Sequence, residues 1–177
     1  MSFRDRIEFW CISFMHDTMY GLFVNPETLL LPAGLKADQH VLEVGCGPGF
    51  FTIPAAEIVG QDGVVYAIDV NPFAIKKVEK KMAKKKVTNI KPILTDVKET
   101  GLPDNSIDLA FFFGVIHSLI ESLDKTLLEM DRILKKDGII SIQKSWKNEE
   151  NIVNLVEESG KFVLIENSKR IMKFCKK

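Results

Sequence analysis

The chain has 177 residues, 46% of them hydrophobic and 27% charged, which are the proportions of one globular domain long enough to bury a sizeable core. Twenty-four basic and twenty-four acidic residues leave a formal net charge of zero, which excludes a global field attracting DNA, RNA or an acidic membrane. Cys11, Cys46 and Cys175 are scattered and lack metal-ligand spacing, no apolar run approaches the roughly 18–20 residues that span a bilayer, and the start is not signal-like. The expectation is a cytoplasmic protein with reduced thiols, no metal and no transmembrane segment.

Helical periodicity runs from Phe3 to about Tyr20, but Phe9-Trp10-Cys11-Ile12 and Phe14-Met15 make that segment apolar nearly all round. Such a helix must be covered by something. Residues 1–37 are therefore expected to form a helical lid over the sheet edge and the ligand. The same face could instead pair two copies as a homodimer or lie on a membrane surface.

After residue 40 strands and helices alternate, the signature of a parallel sheet covered on both faces. A strand at about 40–45 leads into Gly45-Cys46-Gly47-Pro48-Gly49, and a helix over about 50–59 follows, its free N–H groups facing the loop. Strand 64–69 ends on Asp69. Asn71-Pro72 then caps a helix whose buried stripe is Phe73, Ile75, Val78 and Met82. Its other face carries Lys76, Lys77, Lys80, Lys81, Lys84, Lys85 and Lys86, read as a solvated outer surface rather than a phosphate-backbone site. A third strand falls at 90–95. The fourth, 107–113, is apolar on both faces and therefore central. Helical spacing over 123–135 ends at Lys135-Lys136-Asp137-Gly138, before a fifth strand at 139–142 and a helix at about 149–159. Apolar runs at 162–165 and 170–174 flank Asn167-Ser168-Lys169, a hairpin signal. No linker marks a second domain.

The glycine spacing narrows the ligand. Dinucleotide loops use G-x-G-x-x-G, whereas here the pattern is G-x-G-x-G at 45, 47 and 49, with no Walker lysine. That favours a nucleoside without a pyrophosphate. Asp69, twenty residues past Gly49, stands where a carboxylate can accept both hydroxyls of a ribose.

With these residues the sequence resembles the class I S-adenosylmethionine-dependent methyltransferases, particularly the small "type 11" group related to quinone biosynthesis. The resemblance covers about 38–177. It rests on Glu43-Val44-Gly45-Cys46-Gly47-Pro48-Gly49, Asp69-Val70-Asn71-Pro72, Thr95-Asp96, Leu102-Pro103-Asp104-Asn105-Ser106-Ile107-Asp108 and Leu134-Lys135-Lys136-Asp137-Gly138, in that order. It implies an α/β fold of the Rossmann-like methyltransferase type: one domain with a seven-stranded, mostly parallel sheet, a C-terminal antiparallel hairpin and helices on both faces. It implies S-adenosylmethionine as cofactor and S-adenosylhomocysteine as product. Gly45, Gly47 and Gly49 would pass under the methionine and ribose portions, and Glu43 would fix the loop and approach the methionyl ammonium. Asp69, followed by Val70, would hold the ribose. Asp96 and the Val97 backbone would meet the adenine, and Phe113 and Gly114 would border the methionyl end. Cys46 belongs to the loop lining as a small packing residue, since no base partners it as a nucleophile.

Methyl transfer needs in-line approach, so an enzyme supplies mainly proximity, and a base only where the acceptor must lose a proton. His117, after the fourth strand, is the candidate base. His16, Tyr20 and Trp146 are candidate substrate contacts. A small, partly apolar acceptor is expected. The alternatives are a protein or RNA acceptor, or a non-catalytic S-adenosylmethionine-binding module.

Overall fold

A computed structural model describes residues 25–144 and 149–177. In chain order the elements are α1 (Glu27–Ala33), β1 (His40–Val44), α2 (Thr52–Val59), β2 (Val64–Asp69), α3 (Pro72–Lys85), β3 (Ile90–Leu94) and β4 (Ile107–Phe112). There follow α4 (Ile116–Leu119), a 3₁₀ turn (Ile120–Ser122), α5 (Leu123–Ile133), β5 (Leu134–Gln143), α6 (Glu149–Glu158), β6 (Phe162–Asn167) and β7 (Ile171–Lys176). The seven strands form one sheet in the order β3-β2-β1-β4-β5-β7-β6. The first five are mutually parallel, and β7 runs antiparallel to both β5 and β6. The expected Rossmann-like sheet with its terminal hairpin is thus the observed one.

Strand alternation divides the core in two. Leu42, Val44, Ala110, Phe112, Ile140 and Ile142 face α5 and α6, meeting Leu127, Met130, Ile152 and Val156. Val41, Val65, Ala67, Leu109 and Phe111 face the other way, against α1, α2 and α3. Phe111 and Phe112, adjacent in β4, are both fully buried on opposite faces, as a central parallel strand requires. On α3 the Asn71 side chain accepts from the Phe73 N–H at 2.9 Å, with Pro72 in the first turn, so the cap forms as its residues predict.

Three local expectations are corrected. The helix predicted over 123–135 ends at Ile133, because Leu134 pairs with Ile107 and already belongs to β5. Lys135-Lys136-Asp137-Gly138 is then an irregularity within β5 rather than the end of a helix: Leu109 pairs not with the next turn of α5 but with Ile139. The helix after the glycine loop begins at Thr52, two residues later than the spacing suggests. After β4, Gly114, at φ 73°, turns the chain directly into α4. Within the segment read as a lid, Leu29, Leu30 and Ala33 of α1 are buried against the sheet. The apolar stretch over 3–20, with His16 and Tyr20, lies outside the described residues, as does Trp146. Among the described residues no helix is long and apolar enough to cross a membrane.

Candidate functional site

The sheet order reverses direction at β1, which lies between β2 and β4. At such a switch point the loops leaving the carboxyl ends of neighbouring strands diverge and leave a crevice. A cavity of about 420 Å³ opens there, lined by the β1–α2 loop and by residues that follow β2, β3 and β4. The volume lies within the range of roughly 300–1,000 Å³ usual for small-molecule and cofactor sites.

The glycine loop forms one wall. The N–H groups of Gly45 and Cys46 both donate to the Ile68 carbonyl, at 2.9 and 3.0 Å, which stitches the loop to the end of β2. Gly45 adopts φ 72°, and a Cβ there would collide with the Val115 side chain. Glycine is therefore required at this position on two separate grounds. Gly47, at φ 50°, turns its N–H toward Asp69 and donates to Oδ2 at 2.9 Å. The other Asp69 oxygen accepts from the Asn71 N–H at 2.8 Å. Each carboxylate oxygen keeps a second lone pair, and Asp69 lines the cavity.

Glu43 lies beneath the loop and is only 3% exposed. The Thr52 hydroxyl donates to its Oε2 at 2.5 Å. Burial pushes its carboxyl up to about 8; the nearby charge of Asp69 adds to the shift, while the Thr52 bond and the Lys81 charge oppose it. A carboxyl held this way is poised to ionise when a cation arrives. Cys46 is buried beside it, and burial raises its thiol far above the ordinary range, which disfavours the thiolate that a nucleophile needs.

At the opposite end, Asp96 follows β3 and lines the cavity with Thr95, while Val97 contributes a buried apolar side chain. The Lys98 N–H donates to Asp96 Oδ1 at 3.0 Å, and the Lys98 ammonium stands 3.1 Å from Oδ2. Chiefly the backbone bond holds the Asp96 carboxyl below the usual range. The position after β4 supplies Phe113 and Gly114. Phe113 meets Phe51 edge-on at a centroid distance of 5.0 Å and Phe111 at 5.0 Å, and Phe51 meets Phe50 at 4.8 Å, giving an aromatic wall.

The structure thus gathers Glu43, Gly45, Cys46, Gly47, Asp69, Val70, Asp96, Val97, Phe113 and Gly114 around one cavity. Gly49, at φ 80°, closes the loop from behind, its N–H donating to the Cys46 carbonyl at 2.9 Å. His117 stands apart: its side chain is exposed on α4 and does not line the cavity, whereas Val115, Ser118 and Leu119 do. Phe50 and Phe51 were missed as lining, though two adjacent aromatics directly after the glycine loop are a usable signal. Val115 offered none, since its role depends on the register of β4 beside β1.

A family model described as a methyltransferase domain matches residues 35–177. Among curated relatives, the chain is 38% identical over 71 residues to aklanonic acid methyltransferase of Streptomyces sp. (strain C5), covering 40% of this chain and 32% of that protein. It is 26% identical over 135 residues to a ubiquinone/menaquinone biosynthesis C-methyltransferase of Marinomonas sp. (strain MWYL1), covering 75% and 53% respectively. The chain therefore spans from about a third to about half the length of these relatives. A solved S-adenosylmethionine-dependent methyltransferase from Aquifex aeolicus superposes with a TM-score of 0.77 at 26% identity, over 95% of this chain and 97% of that one. A protein of Methanococcus maripaludis shares the fold at a TM-score of 0.80 and 20% identity, over 96% and 91%. The family model takes in every strand of the sheet and the whole lining of the cavity, and the chain belongs to the methyltransferase domain family.

Proposed function

We propose that this chain binds S-adenosylmethionine in the cavity at the ends of β1, β2, β3 and β4 and passes its methyl group to a small, partly apolar acceptor. The observation that carries the reading is the junction of Gly47 with Asp69, which sets a carboxylate with spare lone pairs beside a glycine loop that has no pyrophosphate spacing.

The residues fit such a cofactor. Asp69 would accept the ribose hydroxyls with the lone pairs left over from Gly47 and Asn71. Glu43 would ionise toward the methionyl ammonium, replacing a buried neutral carboxyl with a buried pair. Asp96 and the Val97 backbone would meet the adenine, and Val70 would cover its face. Phe113 and Gly114 would border the methionine, with Gly45, Cys46, Gly47 and Gly49 beneath. The bound sulfonium supplies an activated methyl group, and the chain's part is to orient it and exclude water. Proton removal, where an acceptor requires it, falls to His117 only when its exposed ring, beside the lining residue Ser118, turns toward the acceptor.

The aromatic wall of Phe50, Phe51 and Phe113 supports a flat or ring-bearing acceptor. So do the names of the relatives, which concern quinones and aklanonic acid. Isothermal titration with S-adenosylhomocysteine tests the reading directly: saturable binding that weakens in Asp69→Ala supports it. Comparable binding of a nicotinamide dinucleotide would sink it.

A further inference from the structure

The zero net charge conceals a segregation. Between Pro72 and Lys98 stand nine lysines and two carboxylates, whereas the remainder of the chain carries fifteen basic and twenty-two acidic residues. The core of the positive region is α3. There Lys76, Lys80 and Lys84 recur every fourth residue and so form one row of about 12 Å along the helix. That row lies opposite Ala74, Ile75 and Val78, which are buried against the sheet. All three lysines are exposed, and none forms an ion pair with a described carboxylate. Like charges four residues apart on a helix repel, by a few tenths of a kcal/mol per pair. An anionic surface would turn that repulsion into attraction.

Three features decide the kind of surface. Every basic residue in the region is lysine, a point charge suited to a diffuse array of headgroups, and none is the forked arginine that phosphate recognition in nucleic acids favours. The row sits on the outer side of one helix, away from the sheet, as a straight line of charges rather than a channel that stacks bases. At the same edge of the sheet, the ends of β2 and β3 expose two large apolar side chains, Val70 at 69% and Leu94 at 55%. Leu94 alternates in step with Ile90, which packs on the α3 side, so it projects from the same side of the sheet that α3 covers. Cations beside exposed apolar groups are the composition of a peripheral membrane face.

We propose that α3 docks the protein onto an anionic lipid bilayer, with the Lys76–Lys80–Lys84 row against the headgroups and Val70 and Leu94 at the interface. The acidic remainder of the chain orients the molecule by being repelled. Val70 also borders the cavity, so its mouth is brought to the lipid, but the docking itself does not depend on the methyl-transfer reading.

The test is co-sedimentation of the full chain with vesicles of phosphatidylcholine alone and of phosphatidylcholine mixed with phosphatidylglycerol, at low and high salt. Binding is expected only to the anionic vesicles, weakening steeply with salt. The triple variant Lys76→Gln, Lys80→Gln, Lys84→Gln should lose about a hundredfold in partitioning. A charge-matched control, Lys125→Gln, Lys136→Gln, Lys169→Gln, should lose far less, with thermal melts confirming that both variants fold. Equal losses in the two triples, no binding to anionic vesicles, or tighter salt-sensitive binding to an RNA oligonucleotide than to the vesicles would each overturn the proposal.

Discussion

The Gly47 N–H donates to Asp69 Oδ2 at 2.9 Å, across 22 residues of chain, and so locks the glycine loop to the carboxyl end of the neighbouring strand. The same carboxylate accepts from the Asn71 N–H, so one side chain sets both the loop and the entry to α3. Asp69→Ala should therefore act twice. It leaves two backbone donors without their acceptor, at about 1–3 kcal/mol each where water does not replace it. It also removes the proposed ribose contact. We expect a lowered melting temperature together with at least a tenfold loss of S-adenosylhomocysteine affinity by calorimetry. Asp69→Asn should recover part of the stability and little of the affinity. A variant that melts lower but binds normally would confine Asp69 to a structural role.

Glu43 gives the protein a distinctive dependence on pH. Its carboxyl ionises near 4.5 when unfolded and is raised to about 8 by burial when folded, so between those values the folded state holds the extra proton. Stability linked to this group is present below about 4.5, falls as pH rises, and is lost by about 8. Glu43→Gln should flatten that slope and be the more stable form above pH about 8, by on the order of a few kcal/mol. Urea unfolding across this range checks it. Under the proposed ammonium contact, cofactor binding near neutral pH should also release protons, measurable as a buffer-dependent binding enthalpy that Glu43→Gln abolishes.

Gly45 and Val115 test the packing of the loop. Gly45→Ala faces a left-handed φ, costing about 1–2 kcal/mol, and an overlap with Val115 worth about 1–3 kcal/mol more. Adding Val115→Ala opens the space but leaves the dihedral cost, so the double variant should recover only part of the loss. Full recovery would show that the backbone there tolerates a side chain, and no recovery that Val115 is not the obstacle.

What could be read from the chain, and what could not, follows from how local each signal is. Gly45, Gly47, Gly49 and Asp69 were legible because a turn with positive φ admits few residue types and the acid ends a well-defined strand. Leu134 was misassigned because it satisfies both the helical spacing of α5 and the first pairing of β5, and only the partner Ile107 decides between them. Val115 owes its place in the cavity to the register between β1 and β4. Ser118 and Leu119 reach it only through the turn at Gly114. No spacing along the chain encodes either arrangement.

Glu129 is a further case, invisible in the sequence and central in the fold. It is almost buried on α5 and accepts from the Thr100 N–H at 2.9 Å, the Thr100 hydroxyl at 2.6 Å and the Arg132 guanidinium at 2.7 and 2.9 Å. The Arg132 bonds lead in holding its carboxyl down at about 2. Because the folded value is depressed, this support is present above about 4.5 and is lost as pH falls toward 2. Glu129→Ala strands the buried Thr100 donors and should cost about 2–4 kcal/mol. The turn it anchors also carries Asp96 and Val97, so cofactor affinity should fall several-fold with less effect on turnover at saturation. Glu129→Gln, which keeps an acceptor, should restore part of both.

His117 separates two kinds of acceptor. Its exposed ring lies on α4, one residue before Ser118, which lines the cavity. An acceptor that reacts as a neutral nucleophile, or that is already ionised, needs no base; one that must lose a proton during transfer does. Once an acceptor is in hand, His117→Ala should leave S-adenosylhomocysteine affinity unchanged, because the ring does not line the cavity. If His117 is the base, turnover should drop by about 10²–10⁴-fold, and the loss should shrink as pH rises and the acceptor ionises by itself. Full turnover in the variant across the pH range would remove His117 from the reaction and leave orientation within the cavity as the chain's whole contribution.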